Sequence, residues 1–76
     1  MYVLEIETNK TIKKIEAPRK AKAVDLVITT LVKVMDGEGK WHTIGKCYHL
    51  QDAEWIADDI NDAIKNKKSS ICVELN

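Results

Sequence analysis

The chain reads as an α+β fold: a small antiparallel sheet, made of two hairpins plus a C-terminal strand, covered on one face by one amphipathic helix, in the order ββββαβ. Three observations predict it. Residues 51–65 repeat their apolar side chains at helical spacing. Residues 2–8 and 71–75 alternate apolar and polar, as half-buried strands do. Val, Ile and Thr crowd the segment before the turn signal Asp36-Gly37-Glu38-Gly39, and these residue types lose freedom in a helix but pack well on a pleated surface. Seventy-six residues make one domain, 1–76. A chain of this size buries only about 60–65% of its unfolded surface, so a small core is expected.

In the first hairpin, Tyr2, Leu4 and Ile6 share one face while Glu5 and Glu7 take the other. Asn9-Lys10 suits a tight turn, because Asn tolerates positive φ. Residues 11–17 form the returning strand. Ile12 and Ile15 are three apart, so they share a face only through a bulge, and this charged, irregular segment suits a sheet edge. Pro18 ends it.

Two readings compete for residues 21–35. As a helix spanning 19–36, the segment puts Ala21, Val24, Val27, Ile28, Leu31 and Met35 on one face and gives the order ββαβαβ. As a strand it alternates at Val24, Leu26, Ile28, Val32 and Val34, and the turn at 36–39 then returns it along residues 40–50. The hairpin is preferred because it explains both segments together. Its register pairs Met35 with Lys40, Val34 with Trp41, Val32 with Thr43, Thr30 with Gly45 and Ile28 with Cys47. That face is the expected core. The other face carries Val27, Leu31, Lys33, His42, Ile44, Lys46 and Tyr48, and a slip of one residue swaps the two.

In the helix, Ala53, Ile56, Ala57, Ile60, Ala63 and Ile64 form the buried stripe. Five acids fill residues 51–64 with no base among them, and Lys65, Lys67 and Lys68 follow. That order complements the helix dipole and needs no functional cause. Trp55 flanks the stripe beside Asp52, Asp59 and Asp62. It either laps over the sheet edge as peripheral core or anchors a partner, as exposed tryptophans do at interfaces. Ile71, Val73 and Leu75 mark a last strand, expected to run antiparallel to the helix and to join the sheet beneath it.

Composition narrows the function classes. Twelve bases balance twelve acids, which argues against a chain devoted as a whole to nucleic acid or anionic membrane. No apolar run approaches the ~20 residues of a membrane span, and the acidic start is unlike a secretion signal. Two cysteines make no disulfide framework, so reduced thiols in a cytoplasm are expected. The spacing of His42, Cys47, His49 and Cys72 matches no zinc pattern, and neither a phosphate-binding glycine loop nor an acyl-transfer constellation occurs. No catalytic residue, cofactor or metal is expected.

What remains is non-catalytic protein binding, of a regulator, assembly-factor or inhibitor type. Two surfaces are candidates: the acidic ridge of Asp52, Trp55, Asp59 and Asp62, and the partly apolar outer sheet face, where Leu31, Ile44 and Tyr48 would meet a second copy in a homodimer. The alternative is single-stranded nucleic acid on the basic hairpin 27–48, through Lys33, Lys40, Lys46 and Tyr48.

Overall fold

The computed structural model describes residues 1–75 and has the α+β architecture. Its elements are β1 (Val3–Glu7), β2 (Ile12–Glu16), β3 (Lys20–Asp25), β4 (Thr30–Met35), β5 (Trp41–Cys47), α1 (Leu50–Lys65) and β6 (Ser70–Cys72). They form two three-stranded sheets, β2-β1-β6 and β3-β4-β5.

The first sheet is built largely as the alternation predicts. Leu4 and Ile6 of β1 point into the core, joined from β2 by Ile15 alone. β1 and β2 pair antiparallel without a bulge, so Ile12 and Ile15 fall on opposite faces and Ile12 is exposed. β6 differs from expectation. It does not join the sheet under the helix but pairs parallel with β1, Ile6 opposite Ile71. A parallel neighbour needs a crossover connection, and the helix preceding β6 supplies one.

Residues 21–35 are neither a helix nor one strand. They fold back on themselves at Leu26–Thr29 as the hairpin β3–β4, which adds a strand to the expected order. The physical reason is length. Fifteen residues in one strand would reach about 50 Å at ~3.3 Å per residue, whereas the longest dimension of the body is 37 Å.

The β4–β5 register also departs from expectation. Met35 pairs with Trp41, Val34 with His42 and Lys33 with Thr43; then Val32 pairs with Gly45 and Thr30 with Cys47. The pairing is thus one residue off at the turn and two residues off beyond a bulge that leaves Ile44 without an opposite number. Gly45 lies next to that bulge, and a Cβ there would collide with the Leu75 side chain, which packs across the strand. Trp41 and Thr43 therefore leave the expected core face, while Ile44 joins Val32, Val34 and Cys47 inside.

The chain crosses between sheets at Ala17-Pro18, where Ala17 adopts φ 45°. Gly37 from the β4–β5 turn donates its N–H to Glu16 O at 3.0 Å. A Cβ on Gly37 would fall 2.7 Å from Ala17 Cβ, so only glycine fits this approach.

The helix lies across β3, β4 and β5. Ala53, Ala57, Ile60 and Ala63 are buried, with Ile56 and Ile64 packed at the margin. Alanines on β3 (Ala21, Ala23) face alanines on the helix, which lets the two approach closely. Asn61 fixes their alignment: its Oδ1 accepts the Ala21 N–H at 2.8 Å and its Nδ2 donates to Ala21 O at 3.1 Å. This closes part of a β3 edge that would otherwise present open backbone groups. Past the C-cap Asn66 the chain turns at Lys67, φ 54°, with Lys68 N–H bonded to Ala63 O and Lys67 N–H to Ile64 O. That is the Schellman pattern, formed here without its usual glycine. Among the described residues no helix is long and apolar enough to cross a membrane.

Candidate functional site

Three exposed surfaces and a hollow beside the β4–β5 turn stand out among the described residues.

The first surface is the apolar end of the β3–β4 hairpin. Val27 is 93% and Ile28 87% exposed, beside Leu26, which is also exposed. Ile28 N–H bonds back to Leu26 O at 3.0 Å, and Val27 between them has φ 77°. This is the γ-turn of positive φ, the rarer and more strained kind. A β-branched residue is poorly suited to that conformation, since its Cβ meets the backbone. Asp25 Oδ1 helps to hold it by accepting the Val27 N–H at 2.8 Å. Thr29 Oγ1 donates to Cys47 O at 3.1 Å and ties the turn to the end of β5. Tyr48, 71% exposed, and Leu50 follow directly from there.

The second surface is the outward side of the helix. Trp55 is 58% exposed, not folded over the sheet edge. On the same helix Asp59 and Asp62 are exposed and Asp52 is half-buried.

The third surface is the outer face of β3-β4-β5, away from the helix. The registers set three rungs across it: Lys20–Met35–Trp41, Lys22–Lys33–Thr43 and Val24–Leu31–Lys46. Lys22 Nζ lies 4.1 Å and Lys20 Nζ 5.9 Å from the centre of the Trp41 ring, which places all three on one face.

Several expected positions change accordingly. Ile44, assigned to the dimer face, is 4% exposed and belongs to the core, so Leu31, Ile44 and Tyr48 do not share a surface. Leu31 is half-buried on the outer face, and Tyr48 lies past the strand end. Of the nucleic-acid candidates, Lys33 and Lys46 sit on the outer face, Lys40 at the β4–β5 turn, and Tyr48 outside the sheet. Trp41, which the expected register turned inward, takes the aromatic place among the lysines. The hairpin end was marked by no Gly, Pro or Asn. The available signals were strand length and the polar pairs around the break, Asp25 before it and Thr29-Thr30 after it.

The hollow, of about 460 Å³, lies between β2 and the β4–β5 turn. His42 Nε2 and Asp36 Oδ2 meet there at 2.7 Å. Asp36 Oδ1 accepts the Glu38 and Lys40 backbone N–H groups at 2.9 and 3.0 Å. The His42 bond first, and the Lys40 N–H next, hold the Asp36 carboxyl below its ordinary range. Every Asp36 bond named here shapes the turn, and the lining of the hollow holds no hydroxyl or thiol side chain.

The remaining candidate metal ligands are dispersed. Cys47 is buried in the core, His49 precedes the helix, and Cys72 on the other sheet donates its thiol to Glu7 Oε2 at 3.3 Å, which raises the thiol pKa. Among the described residues no three His, Cys, Asp or Glu side chains converge as a metal site. Compared with known proteins, the chain matches no family model, no curated protein and no solved structure.

Proposed function

We propose that this chain is a small non-catalytic module that binds another protein, of the regulator, assembly-factor or inhibitor kind, through the apolar end formed by Leu26, Val27, Ile28 and Tyr48. One observation supports the reading above the rest: consecutive aliphatic residues are held out in water by a strained turn. Both features cost the free protein stability, the strain by about 1–3 kcal/mol. Burying an exposed Val or Ile against a partner returns about 1.5–3 kcal/mol each. A feature that is unfavourable in isolation and favourable in a complex fits an interface. Exposed apolar patches of this kind are where soluble proteins meet partners.

Trp55 with Asp52, Asp59 and Asp62 fits a second contact on the same partner or another, suited to a basic groove with an apolar centre. It is supported by the ring's exposure. A homodimer remains within this proposal, now through the hairpin end in place of the Leu31, Ile44 and Tyr48 face.

The test is site-specific photocrosslinking in cells that produce the chain naturally. A crosslinker at position 28 or 48 is expected to give one discrete adduct that the same probe at Lys14, on the β2 edge, does not give. Equal adducts from all three positions, or none, would remove the apolar end as a binding site. Sedimentation of the isolated chain separates the homodimer, which Ile28→Lys should dissociate, from a different partner.

A further inference from the structure

The outer face of β3-β4-β5 carries charge that no acid among the described residues pairs with. Its three rungs hold Lys20, Lys22, Lys33 and Lys46 and no acid. Lys22 and Lys33 stand directly opposite each other, an arrangement that destabilises a sheet. Lys13 brings another ammonium to the margin, donating to Thr43 O. Among the described residues the one ion pair is His42–Asp36, so none of these lysines has a carboxylate within salt-bridge distance. Five of the twelve acids lie on the helix, on the opposite side of this sheet. Zero net charge thus conceals a basic face and an acidic one.

The end rung of the basic face, beside the β4–β5 turn, is aromatic and apolar. Trp41 lies against Met35 of the next strand, with Lys20 and Lys22 drawn over the ring. We infer that this face binds single-stranded nucleic acid, with a base stacked on Trp41 and the flanking phosphates on Lys22, Lys33 and Lys46. Charge complementarity selects a polyanion, and a sheet face with an aromatic ring on the outer side of its edge strand selects one whose base faces are open. Single-stranded chains stack on such platforms with little regard to sequence. In a duplex the base faces are occupied by their neighbours. The ammonium groups now over the ring leave it for phosphate oxygens, so the stack replaces a cation–π contact and does not need an empty surface. This activity uses a different side of the molecule from the apolar end and stands or falls separately.

The experiment titrates a short oligothymidine into the Trp55→Phe protein, in which Trp41 is the sole tryptophan. Quenching of Trp41 is expected, with affinity falling as salt rises, on a logarithmic slope of about −2 to −3 for three to four phosphates at ~0.7 each. Trp41→Ala should weaken binding, measured by anisotropy of a labelled oligonucleotide, by about 5- to 150-fold, the loss that one base–aromatic stack represents. Lys22→Glu with Lys33→Glu should abolish it. Val27→Gly should bind like wild type, so failure here is distinguishable from failure of the apolar-end reading. No binding at low salt overturns the inference. So does equal affinity for polyglutamate, for phosphatidylserine vesicles or for duplex of the same sequence, and so does affinity that Trp41→Ala leaves unchanged.

Discussion

Replacing Val27 with glycine should make the isolated protein more stable, although it removes a side chain and adds a flexible residue. Val27 holds φ 77° with its side chain 93% exposed, so little packing is lost. The positive φ costs a residue with a Cβ about 1–3 kcal/mol, and glycine adopts it freely. Glycine's greater freedom in the unfolded chain takes back about 0.5–1 kcal/mol. The net gain is about 0.5–2 kcal/mol. At ~4–8 °C per kcal/mol for a domain of this size, Tm should rise by roughly 2–15 °C. Thermal melting followed by circular dichroism, with urea unfolding as a check, measures it. Val27→Ala keeps the Cβ and should gain less. A Val27→Gly protein that melts at or below the wild-type temperature, or an alanine variant equal to the glycine one, refutes the strain argument. The functional reasoning built on that turn would then lose its main support. The same substitution should weaken photocrosslinking from position 28, separating stability from binding in a single variant.

Ile60 has no exposed surface at the centre of the helix stripe; Ile60→Ala should cost about 2–5 kcal/mol, read as a lower urea midpoint. Asn61→Ala strips both partners from the Ala21 backbone. It should cost about 1–3 kcal/mol, with faster amide exchange at Ala21. Asp36 titrates below its ordinary 3.8 because the folded turn bonds its charged form, His42 foremost. A depressed folded pKa stabilises above the unfolded value and loses that contribution as pH falls through the folded one. Asp36→Asn should therefore lower stability near neutral pH and flatten the decline below about pH 4 in a series of melts.

How much of this could be read beforehand depended on whether the signal was local. The helix and its buried face follow from Ala53, Ala57, Ile60 and Ala63, because about 3.6 residues per turn bring side chains three and four apart onto one face without reference to the rest of the chain. The faces of β1 follow from Leu4 and Ile6 for the same reason, at period two. The acid ridge was legible as a pattern, while only the folded body shows that Trp55 stands clear of the sheet.

The outer sheet face was legible in composition and not in membership. Its lysines were visible, yet whether Trp41 or Tyr48 joins them turns on one residue of register. That register shifts at a bulge beside Ile44, where Leu75 from the far end of the chain packs over Gly45. The break at Leu26–Thr29 was hidden because Leu, Val and Ile continue the strand pattern straight through it.

By itself, then, the order of residues determined the class of fold, the helix, the inward faces of the outer elements and the separation of charge along the chain. Tertiary structure decided the fold-back of residues 21–35, the division into two sheets and the side on which Trp41 emerges. The first group depends on spacing between near neighbours. The second depends on how long a strand the body can hold and on pairing and packing between residues far apart in the chain.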